Sequence, residues 1–143
     1  MPATPPTPIP FLPMPAMLWQ LMQTLWLGAH MAALLLFMPM LVKIGFAPML
    51  LQEVHGQLRP ALLIFTLMAT AVQMLVLVRT SGVHALVRQL RGQLLLGIWL
   101  LALVVLVGYG KETISDTMIR GLYGAMLGAG LVLLTQPLPR KKG

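Results

Sequence analysis

Between Met17 and Val42 the chain carries no Asp, Glu, Lys or Arg. The hydrocarbon core of a bilayer is about 30 Å thick, and about 20 helical residues cross it. In lipid a backbone must satisfy its own N–H and C=O groups, which a helix does within one segment. The run is therefore expected to be a transmembrane helix. Three more apolar runs follow it, and the spans are expected at residues 17–42, 60–78, 93–110 and 118–136. The expected fold class is an all-α membrane protein: a four-transmembrane-helix bundle with a short interfacial helix in each of the first and second loops. The transmembrane domain, 17–136, is flanked by a Pro-rich tail, 1–16, and a basic tail, 137–143.

Charge supports a lipid environment. Charged residues make up 9% of the chain, against about 25% in soluble domains, too few to cover a water-facing surface. The net charge of +7 could suggest nucleic acid. The basic residues lie between apolar runs instead, where they set orientation and meet anionic lipid headgroups. No nucleic-acid partner is expected. The chain has no cysteine, which excludes disulfides and thiolate metal sites.

Residues 1–16 hold seven of the 12 prolines and read as an extended spacer or a proline-motif ligand. They contain no Lys or Arg. The apolar run behind them exceeds the roughly 7–15 residues of a signal-peptide core. The first span is therefore expected to stay in the mature protein. Pro39 is expected to kink or end it.

Two stripes of polar residues mark the first hairpin. Gln20, Gln23 and His30 share one helical face of span 1, and Thr66, Thr70 and Gln73 share one face of span 2. Short-looped antiparallel helices would pack these stripes together. Such bonds contribute about 0.6 kcal/mol each, so they specify register more than they drive association. Trp19 suits the headgroup belt, whereas Trp26 lies deeper. Residues 43–59 are too polar to span and read as an interfacial helix or re-entrant turn. Pro48 would start it, and Pro60 would sit in the first turn of span 2. In residues 79–92, Val83, Leu86, Val87 and Leu90 oppose His84, Arg88 and Arg91, the pattern of a basic helix lying on an anionic leaflet.

Small residues mark helix-packing faces. Gly28 and Ala32 form one pair in span 1, and Gly121, Gly124 and Gly128 line a face of span 4. Spacings of this kind let helices approach closely. The expected helix-packing set is Gln23, Gly28, His30, Thr66, Thr70, Gln73, Gly121, Gly124 and Gly128.

Orientation follows from the count of Lys and Arg. Arg79, Arg88, Arg91, Arg140, Lys141 and Lys142 fall on the side of the termini and are expected to face lipid headgroups. Lys43, Arg59, Lys111 and Arg120 fall on the other side. Six against four places both termini in the cytoplasm.

His30 is the one candidate metal or haem ligand, because ionisable groups within a span are costly and often functional. The plainer reading is a neutral histidine bonded to Gln73, a threonine or a backbone carbonyl. Twelve methionines invite a copper reading, with Met31, Met38, Met40 and Met49 near the first hairpin. Methionine also fills irregular gaps in packing. Glu53, His55 and Arg59 could form a polar site at the membrane surface or simply a solvated face. There are no paired acids within the spans, no His-Glu-x-x-His, no nucleophile elbow and no phosphate-binding glycine loop. No catalytic residue and no cofactor are expected.

The first hairpin also resembles a known family. The residues are Leu25-Trp26-Leu27-Gly28, Pro39, Ile44-Gly45-Phe46-Ala47-Pro48, Gly56 and Leu58-Arg59-Pro60. They resemble the proteobacterial membrane proteins grouped as domain of unknown function 4149, similar to the transmembrane-protein-205-like group. The resemblance implies four spans, with a Trp-x-Gly signature in the first helix, and no established activity. It covers the first half of the chain. A more distant resemblance, through Trp26, Gly28 and His30, is to copper-resistance D-type membrane proteins, whose further intramembrane histidines are missing here. The expected function is that of a small non-enzymatic inner-membrane scaffold, accessory subunit or modulator, with a membrane-protein partner or a second copy. The alternative is small-solute, copper or haem handling through His30.

Overall fold

The computed structural model describes residues 14–109, 111 and 114–137. Most of the Pro-rich tail and the basic residues Arg140, Lys141 and Lys142 lie outside the described residues. Among the described residues there are helices and no strand. Four are long and apolar enough to cross a membrane: Met14–Ile44, Pro48–Ser81, Leu90–Gly108 and Asp116–Thr135. The protein is an all-α four-helix bundle.

The first rod has three parts: α1 (Met14–Ala32), a π-helical turn (Ala33–Phe37) and α2 (Met38–Ile44). Pro15 falls in the first turn, where an N–H needs no partner. Pro39 does not end the rod, although it has no N–H to return to the turn before it. The turn before it widens, so that the Met38 N–H reaches the Ala33 carbonyl. A proline ring collides with the carbonyl four residues back, and a wider turn relieves that collision. The rod ends at Gly45, whose φ of 87° suits a residue without Cβ. The Gly45 N–H returns to the Val42 carbonyl at 3.1 Å and the Phe46 N–H to the Leu41 carbonyl at 3.2 Å. These bonds satisfy carbonyls that a helix end leaves open.

The first loop departs from expectation. Residues 48–59 are not a separate interfacial helix or a re-entrant turn. They are the first turns of α3 (Pro48–Ser81), a continuous helix of 34 residues. Pro48 does start a helix, but Pro60 lies in its interior. Proline removes the N–H that would bond the Gly56 carbonyl. Arg59, the residue before it, is the last charged side chain before the charge-free stretch that ends at Arg79. At 1.5 Å per residue α3 is about 51 Å long, well beyond the roughly 30 Å core. The charge-free stretch between Arg59 and Arg79 measures about 30 Å on the same scale and marks the part that crosses.

In the second loop, α4 (Ala85–Arg88) is a single turn. Extended backbone at Gln89, φ −93° and ψ 139°, separates it from α5 (Leu90–Gly108). The longer apolar face expected here is therefore broken: Leu86 packs on the core, whereas Val83, Val87 and Leu90 are exposed. The bend depends on Gly92. A Cβ there would collide with the backbone of Ala85 and Leu86. The last helix, α6 (Asp116–Thr135), is capped by Ser115, whose hydroxyl accepts from the Met118 N–H at 3.3 Å.

Helix α3 packs against both α1 and α5, and α6 packs against α5 and, more sparingly, α1. Trp26, Leu63, Leu77, Leu95, Ile98, Met126 and Leu133 fill the centre. Trp19 is also enclosed by the bundle, 4% exposed. Its main chain serves the seam between α1 and α3.

Candidate functional site

The polar residues of the interior lie along that seam. Gln23, His30, Thr66, Thr70 and Gln73 are buried. The Gln73 amide nitrogen donates to the Gln23 side-chain oxygen at 2.8 Å and to the Trp19 carbonyl at 3.2 Å. The Gln23 amide nitrogen donates in turn to the Gly130 carbonyl at 2.9 Å. Two glutamines thus tie α3, α1 and α6 into one chain of hydrogen bonds. Gln20 shares the sequence stripe but is exposed. The threonines do not bond across helices. Thr66 donates to Leu62 and Thr70 to Thr66, each to a carbonyl one turn back in its own helix. Short hydroxyls in a helix commonly bond this way.

His30 Nδ1 lies 2.8 Å from the Trp26 carbonyl. A carbonyl only accepts, so Nδ1 carries the proton, and in the neutral ring Nε2 is the free lone pair. Nε2 has no hydrogen-bond partner, and neither does the indole N–H of Trp26. The imidazole is held between aromatic rings. Trp26 meets it edge-on at 6.0 Å between centroids, and Tyr123 of α6 lies tilted at 5.4 Å. A metal would need more donors at this depth. Among the described residues no group of three or more His, Cys, Asp or Glu side chains converges. His55 lies in the outer turns of α3, and His84 lies at the N-terminus of α4, beyond the other end of α3. Met40 and Met49 face outward, and Met31 packs on the core.

The small residues divide differently from their spacing. Gly28, Gly121, Gly124 and Gly128 have no atom within 4 Å of where a Cβ would stand. The Gly121–Gly128 face therefore points out of the bundle and makes no packing contact within the chain. The glycine that admits a neighbour is Gly130, where a Cβ would come 2.5 Å from the Trp26 ring. Two residues are two 100° steps in a helix, so Gly130 lies on the far side of α6 from Gly128. No pattern in the sequence singles out Gly130 or Gly92.

A second polar feature lies at the end of the bundle bearing the first and third loops. Arg59 and His55 of α3 and Arg120 of α6 line one groove, together with Gln52, Tyr109 and Asp116. Glu53 lines a different groove with Phe37, Phe46 and Leu50. Glu53 and His55 therefore form no dyad. At the opposite end Arg79 and Arg88 are exposed and Arg91 is half-buried.

Compared with protein-family models, with curated proteins and with solved structures, the chain finds no match in any of the three.

Proposed function

We propose that this chain is a non-enzymatic inner-membrane protein that serves as an accessory subunit, scaffold or modulator of a membrane-protein partner or of a second copy. Both termini lie in the cytoplasm, and Arg79, Arg88, Arg91, Arg140, Lys141 and Lys142 meet anionic headgroups there. The bacterial assignment rests on the first-hairpin residues, Trp26-x-Gly28 and Gly45 to Pro48 above all, and on their resemblance to the domain of unknown function 4149 group.

One observation carries the reading. Because α3 is longer than the hydrocarbon core, its first turns and the end of α2 stand beyond it. Beside the charges of Lys43 and Glu53 that tip exposes apolar side chains: Val42 is 62% exposed, Ile44 63% and Met49 82%, with Phe46 and Leu50 also exposed. An exposed apolar patch of this kind marks a contact with a protein or a membrane surface, and a protein partner is the reading proposed here. Of the interior polar groups, the Gln23 and Gln73 amides join helices, while Thr66, Thr70 and His30 bond carbonyls of their own helix.

The test is purification from native membranes in mild detergent, with mass spectrometry of everything retained. A protein at constant stoichiometry is expected, and it should be lost on Phe46→Ser, Met49→Ser and Leu50→Ser combined. A monodisperse single chain with no partner would refute the proposal.

A further inference from the structure

We infer that the groove between α3 and α6 binds an anionic phospholipid, its phosphate held between Arg59 and Arg120. The inference is independent of the accessory-subunit reading. The groove has a volume of about 680 Å³. Among the described residues its lining contains two guanidinium groups from different helices and a single carboxylate, Asp116. Arginine presents a planar fork of donors that matches two phosphate oxygens at once.

Depth selects the ligand. Arg59 stands about 30 Å along α3 from Arg79, at the edge of the hydrocarbon, the level at which lipid phosphates lie. Arg120 reaches the same groove from the second turn of α6. Apolar side chains, Met38 from the first rod and Ile119 from α6, share the lining with the arginines. A free phosphate would use only the guanidinium groups. A phospholipid uses both, with a first stretch of acyl chain against Met38 and Ile119. His55, Gln52 and Tyr109 supply hydrogen-bonding groups for a hydroxylated headgroup.

The experiment uses the full chain in neutral detergent. Phosphatidylglycerol, phosphatidylcholine and inorganic phosphate are added separately, and thermal unfolding is followed. Phosphatidylglycerol should raise the midpoint by several degrees, with little effect from the other two. The shift should vanish in Arg59→Gln/Arg120→Gln and persist in Arg79→Gln/Arg88→Gln, which changes the opposite end. An equal shift in the first variant would overturn the site. A full shift from inorganic phosphate alone would overturn the lipid. If the first variant does not fold, a photoactivatable phosphatidylglycerol on the unaltered chain decides. Crosslinks to peptides holding Met38, Tyr109 or Ile119 support the site, and crosslinks only elsewhere refute it.

Discussion

Gln73 on α3 and Gln23 on α1 form the one side-chain-to-side-chain hydrogen bond found among the described residues, at 2.8 Å. Each glutamine spends its second contact on a main-chain carbonyl of another helix, Trp19 for one and Gly130 for the other. The pair therefore indexes three helices at one depth. Replacing Gln73 by Leu should cost about 1–2 kcal/mol, the upper range for such bonds in membranes. A double-mutant cycle with Gln23→Leu should return a coupling near 0.6 kcal/mol, and not above about 1.7. Unfolding in mixed micelles would measure both. Additive effects would mean that the bond contributes no coupling.

Gly130 and Gly124 give an opposed pair of predictions. Alanine at Gly130 places a methyl group against the Trp26 ring, and overpacking of this kind costs about 1–3 kcal/mol. Alanine at Gly124 meets nothing within the chain and should leave the unfolding midpoint of the isolated protein unchanged or slightly raised. The opposite ranking would mean that α6 is turned about its axis.

His30→Ala should remove a packed ring without removing chemistry. A cavity beside Trp26 and Tyr123 is expected to lower stability by about 2–4 kcal/mol, in the range of other large-to-small core changes. Copper and haem content after purification should match the unaltered protein. A metal or haem signal present in the unaltered protein and absent only in this variant would make Nε2 a ligand.

Topology is open to direct measurement. A reporter active only in the cytoplasm should work when fused after Gly143. One active only outside it should work when inserted between residues 111 and 117. The reverse pattern would invert the orientation and move the proposed lipid groove to the cytoplasmic leaflet.

Hydropathy alone made the four helices legible, because a bilayer sets one length and one polarity for every crossing. The glutamine seam was legible for a similar reason: amides within a span have few places to go. The continuity of α3 was not. Gln52, Glu53, His55 and Gln57 carry the composition of a loop, and that composition is equally suited to a helix that has already left the hydrocarbon. The glycine faces meet no neighbour within the chain, and that was illegible for a different reason. A small-xxx-small spacing shows that a close approach is sterically possible on one side of a helix. It does not say whether the chain puts a neighbour there, and on α6 the neighbour came to the other side, at Gly130. The enclosure of Trp19 was illegible too, since an indole fits a headgroup belt and a bundle interior equally well until its surroundings are known.

The π turn at Ala33–Phe37 has a consequence for how the two ends of the first rod can vary. Before it, Trp19, Gln23, Trp26 and His30 are buried, and Ala33 is buried at its start; after it, no residue of α2 is buried. The wider turn resets the angular phase of the helix where it leaves its neighbours. Substitutions in α2 are thus insulated from the seam. The tip is free to diversify toward different contacts while the interior stays under strict constraint, and the boundary between the two regimes falls within five residues.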